Sequence, residues 1–451
     1  MPNINAVEVR VEVALLSFSY CCEDSRADQQ LTWEDRATVP QYTLQMPITG
    51  NAWAVGVLFL IHITVVAFVI GIAMVAPVAE LVGMRQGREW WEQLAHKAAA
   101  DVEHIFAWGA TFAAFGLVAI WGLYPRLWGY LVSLFFFQII IIAGLLWFVM
   151  TATAYLYYLT WERLRRHKIW HNLIGWTFVL FTMLFINTIT NLSSYQLTPA
   201  GGRDSLLAAA VNPSYIAEFP HRHIGNLSYG TILLAAYTGG WFLLFRGKPV
   251  VERERAFRDW LQDTLLLIGL SVTVLQPISG WFYVSQILRA SPGAWARMMP
   301  GPNGWMFQIQ IGLVGAVFFL GSLYMHFGLR RGEPGRWSQR WMKCSLWVLP
   351  LFIGLAVLPH SVPLGTMRPW KYLALAGYIL TTVINLVLYF RARRSFVWAE
   401  ARPRSQMTLA ALGVVLVALF AIMGVIRESA RGTDPIYNIM PSEQSQEILR
   451  P

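Results

Sequence analysis

Apolar runs of roughly twenty residues or more recur along the chain, and charged residues gather in the short stretches between them. This pattern predicts helices long enough to cross a bilayer core of about 30 Å. Ten runs are read, at about 53–83, 104–124, 129–160, 170–194, 222–245, 259–285, 304–328, 344–361, 372–390 and 407–426. They are continuous rather than alternating, which favours helices over the strands of a membrane barrel. Pro350 lies inside the short eighth run and is expected to kink it. The expected fold is therefore all-α, a polytopic membrane helical bundle of about ten transmembrane helices.

Composition sharpens this picture. Of the 451 residues, 56% are hydrophobic and 13% charged, against about 25% charged in soluble domains. The net charge of +10 raises the possibility of a nucleic-acid partner, but its distribution excludes that class. Of 35 Lys and Arg, 22 fall in every second loop, in stretches such as "WERLRRHK" and "LRRGEPGRWSQRWMK". By the positive-inside rule these loops face the cytoplasm. Ten spans then place both termini on the periplasmic side of a bacterial inner membrane, with lipid around the bundle. Residues 1–45 include "CCEDSRADQQ" and lack a signal-peptide pattern. They are expected to be disordered or a mis-assigned extension, with Met46 the more natural start. The three cysteines, Cys21, Cys22 and Cys344, form no disulfide framework and no CxxCH motif.

Ionisable groups inside spans are costly and usually functional. His62 and Glu80 lie in the first run, 18 residues apart. That is five helical turns, so they share one face about 27 Å apart, and Gly71 lies midway on the opposite face. His221 and His223 open the fifth run, His360 closes the eighth, and Met306, Gln308 and Gln310 lie in the first turns of the seventh. His96, His104, His167, His171 and His326 lie near the basic loops and read as interfacial anchors or solvated groups. Histidine with Met or Gln inside a helical bundle fits haem ligation, since neutral imidazole binds iron and Met is a common second ligand. Gly225, Ser228 and Gly230 beside His223 would let either a flat macrocycle or a neighbouring helix come close. A capping role for His223 and a satisfied buried role for His62 are the plainer alternatives. Zinc is disfavoured, because HExxH and any local three-ligand set are missing.

These residues resemble a known family, subunit I of the cytochrome bd-type quinol oxidases. His62, Gly71 and Glu80 repeat its first-helix spacing. "YLTWERL" at 158–164, "YQLTPAGG" at 195–202, "HIGNLSYG" at 223–230 and "GTMRPW" at 365–370 are similar to its later motifs. The resemblance spans about residues 50–392 and divides the chain into the 1–45 extension, a haem domain over 46–395, and an extra helix and tail over 396–451. It implies His62 as ligand of a high-spin haem b, and His223 as ligand of a low-spin haem b, picked over His221 because it stands six residues before Tyr229. It implies Gln310 or Met306 as the second low-spin ligand, and Arg368, Pro369 and Trp370 as part of the quinol site. Departures accompany the matches. Ile142, Met150 and Val357 stand where the family has glutamates, which disfavours haem d chemistry of the usual kind, and the quinol loop after the sixth helix is short.

The expected function is a membrane-embedded electron-transfer subunit with one or two b haems, working between quinol, haem and a terminal acceptor. Its expected partner is a second membrane subunit, another respiratory-complex subunit or a periplasmic cytochrome. An active oxygen-reducing quinol oxidase and a haem-poor structural partner are the alternatives.

Overall fold

The computed structural model describes residues 51–124, 128, 141–198, 212–245, 251–299, 304–358, 369–399 and 402–431. The expectation for residues 1–45, and the calls on His360 and Arg368, lie outside the described residues. Twelve α-helices follow in order: α1 (Asn51–Gln86), α2 (Glu89–Leu123), α3 (Gly144–Leu159), α4 (Lys168–Leu197), α5 (Tyr215–Leu244), α6 (Glu252–Thr273), α7 (Gln276–Ala290), α8 (Pro292–Met298), α9 (Gly304–Gly328), α10 (Arg336–Val357), α11 (Pro369–Ala392) and α12 (Pro403–Arg431). The described residues contain ten helical segments of membrane-crossing length, α6 and α7 together making the sixth. The chain is a polytopic helical membrane bundle, as the apolar pattern predicts.

The helices extend beyond the apolar runs where one face packs on a neighbour. α2 starts at Glu89 instead of near 104 because Leu94, Ala95, Ala98, Ala99 and Val102 form a buried small-residue face. α5 starts at Tyr215, so His221 and His223 lie well inside the helix and not at its mouth. Pro350 leaves α10 unbroken from Arg336 to Val357. The sixth span instead turns at Val274 and Leu275, ahead of Pro277, which lacks the N–H to continue the ladder.

α1 and α5 approach most closely at two glycines. A Cβ on Gly230 would lie 2.8 Å from Gly71 Cα, and a Cβ on Gly71 would lie 2.1 Å from Asn226 O. The tenth span, α12, runs antiparallel along the whole of α5: Arg427 meets Glu218, Phe420 meets Tyr229 with ring centroids 3.9 Å apart, and Gly413 meets Ala236. α12 also packs along α9, so it lies between α5 and α9, which make at most marginal contact with each other. This extra helix is part of the core: Leu409, Leu412, Leu416 and Leu419 are buried in the main cluster.

At the end of the bundle carrying the basic loops, α6 supplies two fully buried aspartates. Arg331, just after α9, donates to Asp259 at 2.7 Å, and Arg393, just after α11, donates to Asp263 at 2.7 Å. Tyr389 donates to Asp263 at 2.6 Å and Ala399 N–H donates to Asp259 at 3.3 Å. Ala399 sits at φ 92°, a costly backbone state for a residue with a Cβ, and this hydrogen bond helps to hold it there. Two carboxylates thus face two guanidinium groups and tie three helix ends together.

Candidate functional site

His62 lies three turns into α1 and turns toward α2. Its Nδ1 is 2.9 Å from the carbonyl oxygen of Gly109. A carbonyl only accepts, so Nδ1 carries the proton and Nε2 keeps its lone pair. Among the described residues no protein group bonds Nε2. Phe59 stands edge-on to the ring, with centroids 6.4 Å apart. A tied Nδ1–H with an open Nε2 is the state in which a histidine ligates a metal.

His223 is buried on α5. Its Nε2 is 3.2 Å from Asn187 Oδ1 of α4, Phe219 packs edge-on at 4.6 Å, and Nδ1 is buried without a hydrogen-bond partner. With Nε2–H donating to the amide oxygen, Nδ1 keeps a lone pair that is enclosed and bonded to no protein donor. The small residues nearby take up helices and not a macrocycle. Gly225 is approached by Gln276, Ser228 bonds Thr273, and Gly230 meets Gly71. His221 is held separately, with Nδ1 3.1 Å from Ser279 Oγ and its ring stacked on Tyr283 at 5.7 Å.

The other expected site residues fall elsewhere. Met306 packs in a cluster with Ile287, Met298 and Ile426, and Gln310 is half-buried on the same helix, α9. α12 packs along both α5, which carries His223, and α9, which carries Met306 and Gln310. Trp370 opens α11, and its side chain is outside the described residues. Met150, at a family glutamate position, is buried in the apolar core.

The partners in two ionic sites were not legible in the sequence. The first corrects the reading of His171 as an interfacial or solvated residue: it is 2% exposed. Its Nδ1 is 2.6 Å from Glu80 Oε1 and its Nε2 is 2.8 Å from Tyr157 O. Tyr157 and Asn172 donate to Glu80 Oε2 at 3.0 and 3.1 Å. Glu80 therefore binds α1 to α3 and α4. The burial of two ionisable groups in the first span is answered locally for this one: its oxygens are saturated by neighbours.

The second site surrounds Glu218, five residues before His223 and 2% exposed. Its carboxylate accepts from Arg427 Nη1 at 2.8 Å, Ser194 Oγ at 2.6 Å and Tyr283 Oη at 3.1 Å. Arg222 Nη1 stands 3.8 Å away and donates to Thr190 Oγ1 at 2.8 Å. The available signal was a lone Glu in an apolar stretch one turn before "HRH".

A haem-ligating histidine needs a nitrogen lone pair that no protein group occupies, and His62 and His223 each keep one. The residues present fit the ligation of haem iron by single histidines.

The model of the family described as "Cytochrome bd terminal oxidase subunit I" matches residues 52–303. The match begins with α1 and ends just before α9, so it takes in His62, Glu80, Glu218 and His223 and leaves out Met306, Gln310, Arg368, Trp370 and α12. Among solved structures, the bd oxidase from Geobacillus thermodenitrificans is similar, at 12% identity and a TM-score of 0.48, over 85% of this chain and 98% of that chain. No curated protein matches. With membrane-length helices throughout and a family match over more than half its residues, the chain belongs to the cytochrome bd terminal oxidase subunit I family and is a component of a membrane quinol oxidase.

Proposed function

We propose that this chain is a haem b-bearing, electron-transferring subunit of a bd-type quinol oxidase-like complex in the bacterial inner membrane. The observation that carries the reading is His62: its Nδ1–H is fixed on Gly109 O at 2.9 Å, and among the described residues no protein group bonds its Nε2. A bound haem b would supply one-electron chemistry between quinol and a terminal acceptor. His62 would hold the iron through Nε2, with the Gly109 carbonyl orienting the ring and raising its basicity. His223 would ligate a second haem through Nδ1, with Asn187 orienting the ring. Gln310, Met306, Arg368 and Trp370 enter the proposal through the family resemblance alone, the last two as the quinol end of the path. The basic loops would face the cytoplasm and both termini the periplasm. A second membrane subunit or a periplasmic carrier completes the electron path. The proposed haem domain is 46–395; α12 supports that domain from within.

A second reading, a haem-poor structural partner, is favoured by one observation: α12 occupies the interface between α5 and α9. One measurement separates the two. The purified full chain is analysed by pyridine haemochrome and reduced-minus-oxidised spectra. Haem b present in wild type, reduced by roughly one equivalent in His62→Ala, supports the first reading. A wild-type protein without haem b supports the second. Cyanide-tolerant oxygen uptake with a haem d band would instead favour an oxygen-reducing enzyme, against which the aliphatic Ile142 and Met150 speak.

A further inference from the structure

Among the described residues, the cluster around Glu218 carries two positive charges to one negative. One buried carboxylate faces two guanidinium groups, Arg427 at 2.8 Å and Arg222 at 3.8 Å. The carboxylate is already saturated: Ser194, Ser193, Tyr283 and both guanidinium nitrogens of Arg427 reach it. Arg222 is left with neutral oxygens, Thr190 Oγ1 at 2.8 Å and Ser193 Oγ at 3.4 Å, through one of its three nitrogens. Among the described residues its Nε and Nη2 have no partner. Its side chain is 25% exposed. A mostly desolvated, unneutralised guanidinium within a membrane bundle is costly, and planar guanidinium is built to bind a carboxylate or phosphate with two parallel hydrogen bonds.

The position of Arg222 narrows the ligand. It precedes His223 directly in α5. The geometry points to Arg222 as the anchor for a haem propionate, with Glu218 and Thr190 fixing the guanidinium so that its free N–H edge receives the carboxylate. The family resemblance places Arg368 at the quinol site; the anchor proposed here is a residue of α5. Arg222 is a positioning residue, and this inference rests on the haem reading above.

The test uses the full chain produced under haem limitation and loaded with iron protoporphyrin IX or with its dimethyl ester, whose propionates are capped. Wild type is expected to bind the free acid about tenfold or more tightly than the diester, the size of a charge-assisted hydrogen-bond pair. In Arg222→Gln that preference falls to within about twofold, through loss of free-acid affinity alone, and Arg222→Lys keeps part of it. Helical content and monodispersity are compared across variants, and the diester affinity itself reports whether the site has folded. Equal loss of both porphyrins in Arg222→Gln overturns the inference, since it marks a purely structural role. A wild type that binds haem without discriminating the diester overturns it too. If Arg222→Gln then also loses co-purified acidic phospholipid, the anion is a lipid headgroup. A wild type that binds neither porphyrin removes the haem reading itself, and the inference with it.

Discussion

At the basic end of the bundle, Asp259 and Asp263 face Arg331 and Arg393; at the other end, Glu218 faces Arg222 and Arg427. Both clusters are buried and both join several helices. The first is balanced, two charges against two: Tyr324 and Tyr389 accept from Arg331, while Tyr389 and the Ala399 amide donate to the carboxylates. The second holds a surplus cation with hydrogen-bond capacity unused. A balanced, saturated network costs its desolvation once and then fixes geometry. An unbalanced one persists when something else supplies the missing charge. Net charge, more than the mere presence of ions, separates a structural clamp from a candidate binding site.

Substitutions can break or sharpen this contrast. The largest effect is expected from Arg331→Gln, which leaves Asp259 buried and uncompensated: about 3–5 kcal/mol of stability is lost. It is read by denaturation in mixed detergent and dodecyl sulfate, while haem per folded protein stays at the wild-type level. Arg427→Gln is expected to cost less, about 1–3 kcal/mol, because Arg222, Ser194 and Tyr283 still serve Glu218. The same titration would show it, with a lower melting temperature as a second reading. Arg222→Gln is expected to cost under about 1 kcal/mol, since it removes a surplus charge that is partly exposed. A loss from Arg222→Gln as large as that from Arg331→Gln would erase the distinction between the clusters.

The pair Glu80–His171 stands between these cases. It has no surplus charge to offer, because its oxygens and both ring nitrogens are bonded within α1, α3 and α4. His171 sits beside a basic loop in the sequence, and proximity to such a loop was its only visible feature. Its burial comes from Trp161, stacked edge-on at 4.8 Å, and Tyr157 at 4.7 Å, residues brought over it by the turn between α3 and α4. Sequence position gives depth along the membrane normal, not direction around a helix axis, so His171 was misread while His62 and His223 were singled out.

The number of spans, their sequence limits to within a few turns, the membrane setting and the family were all determined by the sequence itself. Each depends on hydropathy, charge between spans or motif spacing, all one-dimensional quantities. Glu80 was also visible, because a carboxylate in an apolar run is an energetic anomaly wherever it points. Only the tertiary structure decided that α12 lies within the core between α5 and α9, that Gly230 receives Gly71, and that, among the described residues, Arg222 shares Glu218 with Arg427 while Arg331 holds Asp259 by two hydrogen bonds. Those outcomes depend on which helix faces come together. In lipid every apolar face is equally soluble, so hydropathy does not choose among neighbours; close packing at glycines and the pairing of buried ions do.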